Sequence, residues 1–133
     1  MNVLITLPKN LIDAILSGKK KFELRSVRPK FMKLGEDGFF CVEKGTYNVR
    51  CWCRCENISE VYVRCISFPL WEKLLAESRQ WIQNYVENKE KVYIWHIAEV
   101  VKFEEGRFGR NDLFVDRNPQ KFTYCPFSFG RNF

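Results

Sequence analysis

Two long β-type runs, residues 48–66 and 91–103, most constrain what this chain can fold into. Lys91 to Phe103 is rich in Val, Ile, Tyr and Trp, which suit a pleated, half-buried surface. Between the runs, Leu70, Trp71, Leu74 and Leu75, then Trp81, Ile82, Tyr85 and Val86, recur at helical spacing and predict two amphipathic helices. Ahead of them, residues 3–7 form a short buried strand. Pro8 suits a first helical turn, Leu11, Ile12, Ile15 and Leu16 carry the helix, and Gly18 closes it. Residues 20–26 read as a strand with Phe22 and Leu24 on one face and Lys21, Glu23 and Arg25 on the other. A loop with Pro29, Gly35 and Gly38 as breakers leads to a strand at 39–43. The tail keeps Phe108, Phe114, Phe122, Tyr124, Phe127, Phe129 and Phe133 among its glycines and prolines, so it is expected to pack back on the body. This order predicts an α+β fold in one domain over residues 1–133, a small mixed or antiparallel β-barrel with helices packed at its rim.

Charge is distributed unevenly. Lys19, Lys20, Lys21, Arg25, Arg28, Lys30 and Lys33 share their stretch with a single acid, Glu23, so this segment carries the whole formal net charge of +6. Elsewhere acids and bases balance. An excess this local draws a polyanion to one place, whereas a diffuse excess acts mainly on solubility. A nucleotide also needs a ring for stacking and fixed polar groups for the base edge. Phe22, Trp71, Phe122 and Tyr124 are candidate rings, and Glu23 and Gln120 are candidate polar groups.

No apolar run approaches the roughly 18–20 residues of a membrane span. The segment from Met1 to Pro8 has neither a basic region nor a cleavage site, so a cytoplasmic location is expected. Such a chain is expected to keep its six cysteines reduced. In a strand, Cys51, Cys53 and Cys55 point to one face and read as buried thiols. A zinc site would need a second Cys/His cluster, so neither a metal nor another cofactor is expected. His96 lies in an apolar run and reads as a packed side chain. The chain has no Gly-rich phosphate loop and no Ser/His/Asp or Cys/His grouping.

The segment Ile15-Leu16-Ser17-Gly18-Lys19-Lys20-Lys21-Phe22-Glu23-Leu24-Arg25 resembles the signature of the ASCH domain, a branch of the PUA-like superfamily. Leu70-Trp71-Glu72 resembles the helix start that follows the family's central strands, and Tyr93 to Phe103 its late strand. Asn118 to Tyr124 is similar to its closing Pro-Gln-Ser-Phe-x-Tyr element, with Lys121 where Ser is usual. The resemblance implies a PUA-like barrel with a cleft between the first helix, the signature segment and the closing element. Such clefts are associated with RNA or modified-nucleoside recognition. One group in the family deacetylates acetylated cytidine with a Lys, Thr and Glu arrangement, and some relatives are reported to cleave RNA. Lys20 and Arg25 fall on the signature Lys and Arg. Glu23 stands where the deacetylating group has its Thr, which removes the hydroxyl nucleophile. Arg50 and Cys51 lie where relatives carry Val-Gly. Strand alternation alone would group Lys21, not Lys20, with Glu23 and Arg25.

The leading expectation is therefore an RNA- or nucleotide-binding domain without catalysis. Its contacts would come from Lys19, Lys20, Lys21, Glu23, Arg25, Arg28, Lys30, Gln120 and Phe122. The alternative is a metal-independent hydrolase acting on RNA or a modified nucleoside, with Lys20 and Glu23 as acid/base pair. A third reading is a protein-interaction module that uses Trp71, Trp81 and the aromatic tail.

Overall fold

The computed structural model describes residues 1–104, 106, 108–113 and 122–125. Gln120 and most of the aromatic tail lie outside the described residues.

The first strand, β1 (Asn2–Leu7), alternates as a buried strand should. Val3, Ile5 and Leu7 face one apolar cluster and Leu4 another. Pro8 caps the next helix, α1 (Lys9–Leu16), from just outside it, and Leu11, Ile12 and Ile15 form its buried stripe. Gly18 adopts φ 82°, and the amides of Gly18 and Lys20 return to the carbonyls of Ile15 and Ala14, at 3.1 and 3.0 Å. That left-handed closure turns the chain directly into β2 (Phe22–Arg25).

Strands β3 (Gly38–Glu43), β4 (Val49–Tyr62) and β5 (Lys91–Lys102) follow, with helices α2 (Phe68–Leu75) and α3 (Arg79–Val86) between the last two. A short β6 (Thr123–Cys125) completes a six-stranded mixed sheet in the order β2-β5-β4-β3-β1-β6. All neighbours are antiparallel except β1 and β3. The β4–β5 ladder is the backbone of the sheet. It runs from the pair Cys51 and Lys102 to the pair Tyr62 and Lys91, with irregular register around Cys55. Such bulges bend and coil a long ribbon.

The α+β class, with a mixed sheet and packed helices, matches the expectation from sequence. Closure into a barrel is not part of the observed pairing. Among the described residues β2 and β6 stand at opposite edges, with no ladder joining them.

Three apolar clusters hold the layers together. One lies between α1 and the sheet and includes Ile12, Ile15, Phe39, Trp95, Cys41, Cys51, Cys53 and Cys55. A second, around Phe40, Trp52 and Phe103, fills the opposite face. The third joins Leu24 and Ile94 to Leu75, Ile82 and Val86 beneath α2 and α3. No helix among the described residues is long and apolar enough to cross a membrane.

Candidate functional site

Lys20 stands at the crossing of two helix ends. Its amide closes α1, while its Nζ donates to the carbonyl of Leu75, the last residue of α2, at 2.8 Å. A cation is favourable there because a helix C-terminus is partly negative. The same ammonium donates to Glu77 Oε1 at 2.9 Å and lies 3.7 Å from Glu23 Oε2. Glu23 Oε1 in turn lies 3.4 Å from Arg25 Nε. Side-chain exposure is 0% for Lys20, 3% for Glu23 and Glu77, and 11% for Arg25. Two cations and two carboxylates therefore form one buried cluster across β2 and the α2–α3 turn.

The turn that brings Glu77 here is unusual. Ala76 adopts φ 67°, a left-handed conformation that glycine normally supplies at a helix end. The chain then reverses, and Ser78 caps α3 by accepting from the amide of Trp81 at 3.1 Å. Burial is the main cause pushing the Glu77 carboxyl up, from an ordinary 4.5 to about 7; Lys20 opposes the shift and Glu23 adds to it. Glu23 Oε2 and Glu77 Oε2 are both buried without a hydrogen-bond partner among the described residues. Acceptors left this way carry a desolvation cost that a donor-bearing ligand would remove.

Glu77 also lines a cleft of about 270 Å³ between the start of α1 (Pro8, Asn10, Leu11) and the α2–α3 turn (Ala76, Ser78). Trp81 forms one side of it, stacked on Tyr85 at 4.9 Å between ring centroids.

The basic segment thus divides in two. Lys20 and Arg25 turn inward to carboxylates, whereas Lys19, Lys21, Arg28 and Lys30 are exposed on either side of β2. Lys33 pairs with Glu36 at 3.0 Å. Strand alternation had grouped Lys21 with Glu23 and Arg25; the helix-closing turn instead directs Lys20 toward Glu23, as the family signature implied.

Of the candidate rings, Phe22 and Trp71 pack edge-on at 6.5 Å beside the α2–α3 cluster. Phe122 and Tyr124, edge-on at 5.2 Å, pack against the α1 cluster. The ring that sequence reasoning missed is Phe31. It is 60% exposed in the basic loop, with Lys30 Nζ 5.8 Å from its centroid and Tyr124 5.5 Å away. His96 is packed, with Nε2 2.8 Å from Ser59 Oγ and its ring edge-on to Phe22.

No family profile and no curated protein matches this sequence. Solved structures do. The ASCH protein of Zymomonas mobilis superposes with a TM-score of 0.72 at 21% identity, covering 92% of this chain and 86% of that one. Its serine-to-alanine variant gives a TM-score of 0.76 at 21% identity, covering 92% and 87%. The tyrosine-to-phenylalanine variant gives 0.72 at 22% identity. The chain has the ASCH-domain fold. Within that fold the segment from Gly18 to Arg25 lies at the end of the first helix and along the edge strand β2. The buried carboxylate from the α2–α3 turn completes its cluster.

Proposed function

We propose that this is a single-domain, cytoplasmic ASCH protein that binds RNA or a nucleotide along β2 and the cleft beside Glu77. The observation that carries this reading is the division of the basic segment. Lys19, Lys21, Arg28 and Lys30 remain exposed for phosphates, while Lys20 and Arg25 hold Glu23 and Glu77 as fixed acceptors. Phosphate contacts supply affinity, and a buried carboxylate accepts from an exocyclic base amine. Phe31 offers a stacking face within the same basic loop. Gln120 and Phe122 would contribute from the closing element.

Fluorescence polarisation with short single-stranded RNA tests the reading. Four phosphate contacts would give a slope of log K against log salt near −3, at about −0.7 per phosphate. Replacing Lys19, Lys21, Arg28 and Lys30 together with alanine is expected to flatten that slope. Binding that ignores both salt and these substitutions would refute the proposal.

A hydrolase acting on RNA or a modified nucleoside is the second reading. One observation favours it: Glu77, not Glu23 alone, sits on Lys20 with a carboxyl that titrates near neutrality at the wall of a cleft. A carboxyl so placed serves general acid–base catalysis. Turnover of RNA or acetylated cytidine that Glu77→Gln abolishes with binding retained would establish this reading. Absence of turnover in the wild type removes it.

A further inference from the structure

The three-sulfur cluster of the α1-facing core has no part in the site above. Cys41 on β3 is directly opposite Cys51 on β4, and Cys53 follows two residues along on the same face. Their Sγ atoms all lie within 4.8 Å of one another, and all three residues are 0% exposed. Three metal–sulfur bonds of about 2.3 Å in a plane place sulfurs about 4.0 Å apart, which this spacing accommodates. No fourth His, Cys or carboxylate joins the three among the described residues. Cys55 lies further along the same strand, with its thiol directed to the Asn57 carbonyl at 3.4 Å.

The donor set determines which ion fits. Structural zinc takes four ligands, whereas three soft thiolates without a fourth donor suit a soft monovalent cation. We propose that Cys41, Cys51 and Cys53 form a closed trithiolate site for Cu(I). In the sequence only the Cys-x-Cys-x-Cys run forms a short cluster; β-pairing is what places Cys41 beside it. Each thiol that becomes a ligand releases one proton to solvent, and no sulfur or copper changes oxidation state. Because the sulfurs are sealed under α1, the folded protein is expected to load slowly and a refolding chain quickly.

The test uses the full chain carrying Cys65→Ser, which removes the exposed thiol. The protein is refolded without oxygen with Cu(I) and, in parallel, with Zn(II), then challenged with a chromophoric Cu(I) chelator. One Cu(I) per chain, an X-ray absorption shell of three sulfurs and a raised melting temperature are expected. Cys51→Ser is expected to weaken retention at least about tenfold. The Cys65→Ser protein's absorption spectrum decides even where Cys51→Ser does not fold. No retained copper, a two-sulfur shell, or a preference for zinc with four ligands would each overturn the proposal.

Discussion

Lys20 directs its ammonium to one helix-end carbonyl and two carboxylates without reaching solvent. Removing one partner of a buried ion cluster leaves charge uncompensated, at a cost of about 3–5 kcal/mol. Lys20→Met is expected to destabilise by that order in urea unfolding, and Lys20→Met/Glu77→Gln by clearly less, because one orphaned carboxylate is neutralised. Glu77 also sets a pH dependence. Its carboxyl titrates at about 7 when folded against an ordinary 4.5, so between these values the folded state binds more protons than the unfolded one. Its contribution is fully present below about 4.5 and is lost as pH rises through about 7. From pH 5 to pH 8 the wild type is expected to lose of the order of 3 kcal/mol relative to Glu77→Gln, read from paired urea titrations. The basic segment was legible in the sequence because its charges are neighbours. The inward turn of Lys20 was not, since Glu77 lies 57 positions away and nothing in Ala76-Glu77-Ser78 marks a buried acid.

Elements were easier to read than the contacts they make. α1, β5 and the helix pair follow directly from 3.6-residue periodicity and β-branched runs, which are local signals. Helix α1 lacks a side-chain cap, yet its glycine stop was visible and is what delivers Lys20 to the cluster. Sheet order is a different matter, because pairing β1 with β3 in parallel depends on packing across α1 and not on either strand's composition. Gly38 illustrates this. It reads as a loop breaker, but it opens β3, and a Cβ there would lie 1.8 Å from the backbone oxygen of Cys53. Neither backbone can yield without parting the ladder, so Gly38→Ala is expected to cost about 3 kcal/mol. Gly35→Ala, at φ 85° with nothing within 4 Å of the added carbon, is expected to cost only about 1–2 kcal/mol, for conformation alone. Comparing their denaturation midpoints separates close approach from backbone strain; equal losses would contradict the tight β3–β4 approach.

At the scale of the whole molecule, the buried cluster and the exposed cations answer to salt differently. Lys20, Arg25, Glu23 and Glu77 lie beneath the surface, where screening is weak, while Lys19, Lys21, Arg28 and Lys30 repel one another through water. Between about 0.01 M and 0.1 M salt the Debye length falls from about 30 to about 10 Å, so repulsion between exposed charges fades over this range. Surface pairs such as Lys9–Asp13 and Lys91–Glu60 weaken over the same range, so the wild-type melting temperature alone is ambiguous. The difference between wild type and the variant with all four cations replaced by alanine cancels those pairs. The variant is expected to melt about 3 °C higher at the low salt concentration, with the gap closing as salt rises. A higher melting temperature in the variant at low salt would show that these charges repel one another in the free protein, as the proposed RNA contact requires. A variant that melts lower at all salt concentrations would mean that these side chains hold the fold together instead, and would remove the electrostatic basis of the proposed RNA contact.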